Sequence, residues 1–163
     1  MRKWAMRILG ILNLLGIAGS FWYLGGMLQM HWHRWPESAN SVDWAIFWLL
    51  LAFNLYLSGH LAYCSIRMIR KDETAILPAF LLQAAQILFM IADVVVFWLI
   101  LPHSMSKITF GLWSVALSGI DMQVYSGIAP IGLVALLILM LSRYRSQLRV
   151  GSANMPQPGG IQP

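Results

Sequence analysis

The chain has 163 residues, of which 59% are apolar and 10% are charged, and its formal net charge is +5. Soluble domains carry about 25% charged residues, so this composition excludes an ordinary water-soluble domain and is typical of a polytopic membrane protein. The single cysteine, Cys64, excludes an intramolecular disulfide.

Four apolar segments approach or exceed the roughly 20 residues that a helix needs to cross a bilayer. In chain order they are Trp4–Met30, Trp44–Ile66, Ala75–Leu101 and, less sharply bounded, Val124–Leu141. The first follows a basic start, but its apolar run continues well beyond the core of a signal peptide, so we expect an uncleaved helix. The sequence therefore predicts an all-α membrane protein, a bundle of four transmembrane helices.

The connection between the third and fourth spans holds a further apolar segment, Ile108–Ile120. It is too short to cross a bilayer, and Gly119 and Asp121 close it, so we expect an interfacial or re-entrant segment. Pro130 should kink the fourth span or mark its first turn. We predict a bundle over residues 1–142, followed over 143–163 by a basic juxtamembrane turn and a disordered cytoplasmic tail.

Basic residues are distributed unequally between the loops. Only Arg34 and Lys107 fall on one side of the predicted membrane. The remaining basic residues fall on the other side: Arg2, Lys3, Arg7, Arg67, Arg70, Lys71, Arg143, Arg145 and Arg149. The positive-inside rule then predicts that both termini lie in the cytoplasm. We expect the membrane to be a bacterial-type inner (plasma) membrane.

The positive charge predicts lipid contact, because these side chains lie where they meet anionic head groups. We therefore expect the lipid bilayer as a partner and no nucleic acid. Other membrane subunits, or further copies of the chain, are additional candidate partners.

Polar side chains within the spans are the first candidate site. An ionised Asp93 costs at least ~2.5–3.5 kcal/mol in lipid, so its side chain should face protein or water. At about 1.5 Å of rise per residue, Asp93 is level with Tyr23 and close to Ser20, and we predict a hydrogen bond from Tyr23. Gln83 and Gln86 share the helical stripe of Asp93.

Further polar residues extend this candidate site. Asn13 has a depth similar to that of Gln83, which predicts a second polar layer, and Asn54 marks the polar face of the second span. His60 points about 120° away from Asn54 and so lies off this polar face. A haem bound by two histidines is not expected, because the predicted spans contain no second histidine. These polar residues have two interpretations. Either their hydrogen bonds hold the helices together, each contributing about 0.6 kcal/mol of stability, or they form a route for ions or protons. We favour the structural interpretation.

A second candidate site combines thioethers and imidazoles near the outer ends of the first and third spans. Its residues are Met27, Met30, His31, His33, His103 and Met105. Soft sulfur with imidazole suits Cu(I), but Trp32 and Trp35 also fit a plain aromatic interface. We expect no cofactor, with copper as the alternative.

Catalytic signatures do not occur in this sequence. It contains no Gly-x-Ser-x-Gly, His-Glu-x-x-His or Cys-x-x-Cys motif and no phosphate-binding glycine loop followed by lysine. We therefore predict a non-catalytic integral membrane protein that acts as an accessory or interaction subunit. The alternative is a binding or transport protein for copper, an ion or protons that uses Asp93 and the outer Met/His cluster.

Overall fold

The computed structural model of the chain describes residues 2–31, 39–95 and 107–153, and over these ranges the chain forms helices and short turns only. The helices are α1 (Arg2–His31), α2 (Ser41–Ile69), α3 (Ile76–Val95), α4 (Lys107–Tyr125) and α5 (Ile128–Ala153). A 3₁₀ turn, Glu73–Ala75, precedes α3. The predicted all-α fold is confirmed for this part of the chain.

Within the described ranges, four helical segments are long and apolar enough to cross a bilayer, which indicates an integral membrane protein. They are Lys3–Met30, Ser41–Ile69, Glu73–Val95 and Ile128–Gln147. Large apolar side chains point outwards from them, including Trp22, which is 87% exposed, and Leu49, which is 71% exposed. Such a surface suits contact with lipid.

Local sequence determines where these helices begin. Asn40 caps α2, because its side chain accepts a hydrogen bond from the Asp43 backbone N–H at 2.9 Å and the Asp43 carboxylate accepts one from the Asn40 N–H at 3.1 Å. Pro78 and Pro130 are the third residues of α3 and α5. Proline lacks an N–H that would otherwise need a partner in a first turn, so Pro130 marks the beginning of α5.

α4 is enclosed by the other helices. Leu112, Val115, Leu117 and Ile120 are each 1% exposed, and Ala116 is fully buried. The helix is longer than the predicted segment and reaches Tyr125, so the fourth apolar helix begins at Ile128 rather than at Val124. Burial among protein side chains explains how a helix of mixed polarity is accommodated here.

α4 and α5 follow one another along α3. Gln123 of α4 contacts Gln86 of α3, whereas Gly132 of α5 packs against Gln83, one turn earlier on α3. Farther along α5, Arg143 lies 4.0 Å from the Glu73 carboxylate, before the start of α3. The two helices therefore run in succession antiparallel to α3, and we call the pair the interrupted rod.

The interruption lies at Ser126 and Gly127. The Ser126 N–H donates to the Met122 carbonyl at 3.1 Å, and the Gly127 N–H donates to the Val124 carbonyl at 3.0 Å. Gly127 has φ of +77°, the left-handed conformation that glycine adopts without a steric penalty. The chain thereby ends α4 and restarts as α5 within three residues.

Two apolar clusters fill the interior, one for each part of the rod. The α4 cluster comprises Leu24, Phe47, Leu50, Leu51, Leu57, Leu112, Val115, Ala116, Leu117, Ile120, Val124 and Ala129. The α5 cluster comprises Met6, Leu9, Ile17, Leu61, Cys64, Met68, Ala75, Ile76, Ala79, Leu136 and Leu139. Buried polar residues lie among the residues of these clusters.

α5 continues as a helix to Ala153. Arg143 and Arg145, which we assigned to a juxtamembrane turn, therefore lie on helical backbone. The predicted disordered tail beyond residue 153 lies outside the described residues.

Candidate functional site

A group of buried polar side chains lies among the residues of the two apolar clusters, and we call it the polar layer. It consists of Asn13, Asn54, Ser58, Gln83, Gln86 and Gln123, each no more than 2% exposed. They come from α1, α2, α3 and α4. None of these side chains is ionisable, so the layer avoids the cost of a buried charge.

One branch of the polar layer links α3, α4 and α2 through consecutive hydrogen bonds. Gln86 Nε2 donates to Gln123 Oε1 at 3.0 Å, and Gln123 Nε2 donates to Ser58 Oγ at 3.3 Å. Ser58 Oγ donates to Asn54 Oδ1 at 3.3 Å, and Asn54 Nδ2 donates to the Ala116 carbonyl at 3.1 Å. Gln123 therefore fixes α4 against two other helices.

The other branch links α3 to α1. Gln83 Nε2 donates to Asn13 Oδ1 at 2.9 Å, at the common depth that the sequence predicts for these two residues. Three side-chain atoms of the described interior lack a hydrogen-bond partner: Asn13 Nδ2, Gln83 Oε1 and Gln86 Oε1. Each unpaired polar atom in such surroundings costs about 1–3 kcal/mol.

Two glycines allow the backbone to approach the amides of this layer. A Cβ atom on Gly119 would lie 2.6 Å from Asn54 Nδ2. A Cβ atom on Gly132 would lie 2.7 Å from Gln83 Oε1 and still closer to its Nε2. Side-chain carbon atoms do not normally approach within 3.0 Å, so any larger residue would displace these amides.

Asp93 has a different partner from the one predicted. Its carboxylate accepts a hydrogen bond from Trp113 Nε1 of α4, and Asp93 is partly buried. Tyr23 is instead 43% exposed, and the hydrogen bond of Asp93 comes from Trp113 and not from Tyr23. The prediction assigned Asp93 a donor on α1 because the predicted bundle did not include α4, whose Trp113 is the donor.

Two other predicted residues make local contacts. Ser20 is buried, but its hydroxyl donates to the Gly16 carbonyl of its own helix at 2.8 Å. His60 is exposed, and its Nδ1 lies 3.0 Å from the Tyr56 carbonyl. As its helical phase predicts, His60 lies outside the polar layer.

The described chain contains only part of the predicted metal site. Met27 is partly buried against the α4 cluster, whereas Met30 is 64% exposed. His31 is the last residue of α1. The predicted ligands His33, His103 and Met105 lie outside the described residues, so copper binding stays a prediction.

A charged group lies in the turn between α2 and α3. Arg67 Nη2 is 2.6 Å from Asp72 Oδ2, and the other Asp72 oxygen accepts from the Thr74 hydroxyl at 2.7 Å and from its N–H at 2.9 Å. Hydrogen bonds from Thr74 and Arg67 lower the pKa of Asp72 to about 2. The two side chains are about one-third exposed, so water screens this ion pair.

Sequence reasoning missed Gln123, Trp113 and the two packing glycines. Gln123 lay just before the predicted fourth span, so its polar side chain carried no signal of burial. The spacing of Gly119 and Gln123, four residues apart on one helical face, was the available signal.

Comparison with protein-family models, with curated proteins and with solved structures finds no match for this chain.

Proposed function

We propose that the chain is a non-catalytic inner-membrane protein that acts as an accessory or interaction subunit. The polar layer carries this proposal, because most of its neutral side chains bond to one another and join α1, α2, α3 and α4. Hydrogen bonds of this kind stabilise helix association in a bilayer. The interior then serves as a rigid support, and the apolar outer surface is available to lipid and to partner subunits.

Basic residues lie together at one end of the bundle, and this asymmetry supports the proposed orientation in the membrane. Arg7 Nε donates to the Ile69 carbonyl at 3.3 Å, and Arg143 lies 4.0 Å from Glu73. The start of α1, the α2–α3 turn and the far part of α5 therefore share one end. By the positive-inside rule this end is cytoplasmic, and both termini lie there.

We further propose that α4 and α5 make one interrupted crossing. α4 enters from the outer side and ends at Tyr125 near the middle of the bilayer, and α5 continues to the cytoplasm. Ser126 is exposed, but the backbone N–H groups of Ser126 and Gly127 are paired within the turn, as an interruption at that depth requires. This arrangement is a discontinuous transmembrane helix, in place of the separate interfacial or re-entrant segment that the sequence predicts.

Cysteine labelling tests this crossing. In a Cys64→Ser background, Ser41→Cys should react with an impermeant reagent from outside and Arg70→Cys from inside. Ser126→Cys should react from neither side, because it lies within the hydrocarbon. Labelling of Ser126→Cys from outside would contradict the interrupted crossing and make α5 a complete span.

A flux measurement separates the subunit proposal from its alternative. Asp93, a partly buried carboxylate, supports a proton or cation role for this chain. We expect proteoliposomes to show no proton or monovalent cation flux above protein-free vesicles. Flux that disappears in Asp93→Asn would replace the subunit proposal with transport.

Native gel electrophoresis of mildly solubilised membranes tests the subunit role directly. We expect the chain to migrate in a complex of defined size, and crosslinking should connect it to a different polypeptide. Migration of the chain by itself would contradict the proposal.

A further inference from the structure

A groove lies between α3 and α5 at the end of the bundle where the basic residues lie together, and we call it the α3–α5 groove. Its volume is about 250 Å³. Its apolar side chains are those of Ile76, Leu77 and Met140, and its polar side chains are those of Arg143, Tyr144 and Gln147. Because the polar part contains a cation, a ligand that fits both parts is amphipathic and negatively charged.

The α3–α5 groove lies at the edge of the hydrocarbon. The candidate span that contains α3 begins at Glu73, and the candidate span of α5 ends at Gln147, so the two helices reach the same face of the membrane here. Arg143 and Tyr144 lie near this end of α5, where arginine and tyrosine side chains meet lipid head groups. Met140 lies about one turn deeper. The groove is therefore polar at the level of the head groups and apolar towards the acyl chains.

The groove is open to the surrounding lipid. Leu77 and Tyr144 are exposed, whereas Ile76 is buried. Arg143 is also accessible, because its side chain is 44% exposed and its Nε lies 4.0 Å from the Glu73 carboxylate. That distance is longer than a hydrogen bond, so the guanidinium retains donors for a second anion. A lipid can therefore reach both parts of the groove from the bilayer.

The volume and the charge of the groove determine the class of ligand. A pocket that encloses a drug-sized molecule has ~300–1,000 Å³, so this groove holds part of a ligand whose remainder stays in the bilayer. The phosphate of a phospholipid accepts two parallel hydrogen bonds from an arginine. Glu73 reduces the positive potential at Arg143, but Arg70 and Lys71 lie at the same end of the bundle and add to it. The excess of positive charge favours an anionic head group over a zwitterionic one.

We propose that the α3–α5 groove binds one anionic glycerophospholipid, with its phosphate on Arg143 and the beginning of one acyl chain against Leu77 and Met140. Basic pockets between transmembrane helices bind anionic head groups in this way. The bound lipid contacts the beginning of α3 and the far part of α5 together. The site does not depend on the subunit role proposed above.

Native mass spectrometry of the protein released from nanodiscs tests this site. The nanodiscs contain equal amounts of phosphatidylglycerol and phosphatidylethanolamine with the same acyl chains. We expect one phosphatidylglycerol to remain bound to each protein at collision energies that remove phosphatidylethanolamine, with a several-fold difference in the retained fraction. Equal retention of the two lipids would overturn the proposal.

Two variants that lose the same charge locate the lipid. Arg143→Gln should abolish the preference for phosphatidylglycerol. Arg70→Gln removes a positive charge from an exposed position at the same end of the bundle, outside the groove, and should leave the preference unchanged. An equal loss in both variants would indicate non-specific attraction to the basic end and would contradict the groove. The comparison of the two lipids on the wild-type protein remains decisive if a variant fails to fold.

A third variant separates lipid binding from the ion pair. Glu73→Gln ends the contact between Arg143 and Glu73 but keeps the cation, so it should increase the retained fraction of phosphatidylglycerol. If Arg143 acted only through this ion pair, Glu73→Gln and Arg143→Gln would reduce the retained fraction alike. That result would refute a direct contact between Arg143 and the lipid phosphate.

Discussion

The turn between α2 and α3 and the turn between α4 and α5 share a backbone design but differ in chemistry. Each contains a residue with positive φ, +68° at Lys71 and +77° at Gly127. Each leads into a helix whose third residue is proline, Pro78 or Pro130. The first turn is held by the charges of Arg67 and Asp72.

The second turn is held only by neutral groups. Backbone N–H groups close it, and the Ser126 hydroxyl donates to the Gln123 carbonyl at 3.3 Å. Water can solvate the charges of the first turn, whereas an unpaired charge beside the polar layer would be costly. Two turns of similar backbone geometry are therefore stabilised by different groups, according to their surroundings.

The largest effect should follow from replacing Gln123, whose side chain joins α4 to α3 and α2 just before the second turn. Gln123→Leu leaves Gln86 Nε2 without an acceptor and Ser58 without a donor, and should destabilise the protein by about 2–3 kcal/mol. Gln147→Leu, on the exposed far part of α5, is the control and should change little. Unfolding in mixed micelles measures both. Equal effects would refute a special role for Gln123.

A smaller loss of stability should result from adding a methyl group at Gly132, where α5 packs against Gln83. Gly132→Ala forces the Gln83 amide to move, and overpacking typically destabilises by about 1–3 kcal/mol. A Cβ atom on Gly59 of α2 would meet nothing within 4 Å, so Gly59→Ala should stabilise its helix by up to about 1 kcal/mol. Thermal unfolding of the two variants should shift in opposite directions.

The positive φ angles allow a direct comparison of the two turns. Gly127→Ala should destabilise by about 1–2 kcal/mol, because an alanine in the left-handed region places its Cβ too close to the carbonyl oxygen. Lys71→Gly removes the same strain but makes the unfolded chain more flexible, so we expect a net change below about 0.5 kcal/mol. Denaturant titration of both variants measures this contrast, and a tolerant Gly127 would count against it.

The smallest effect concerns pH and should be confined to the first turn. The pKa of Asp72 is lowered to about 2, so its carboxylate stabilises the folded state at neutral pH. That stabilisation should be lost as the pH falls from about 4, the ordinary pKa, towards 2. Asp72→Asn should be less stable than wild type at pH 7, and the difference should shrink by pH 2. A constant difference would show that the charge is irrelevant.

The sequence predicted the helices that are apolar along their whole length, because composition alone distinguishes them from soluble segments. Depth and helical phase also placed Asn13 beside Gln83, since both residues lie on long uninterrupted helices. The rise and the rotation per residue of a helix are sufficient to place these two side chains at one depth.

The sequence did not predict the role of α4, because hydropathy measures affinity for lipid and not burial among protein side chains. Ser118, Gly119 and Gln123 lower the apolar character of α4, yet all three are buried. Without α4 in the bundle, Trp113 could not be identified as the donor to Asp93. The polar layer likewise depends on contacts between residues far apart in the sequence, which hydropathy does not reveal.

The enclosure of α4 imposes an order on biogenesis. Its centre is covered by other helices, and it is not among the segments apolar enough to cross a bilayer by themselves. α1, α2 and α3 can leave the translocon into lipid independently, whereas α4 is stable only once α1 and α2 offer a surface to receive it. Packing of α4 into the bundle is therefore a late folding step, and a chain synthesised faster than this step would accumulate with α4 outside the bundle.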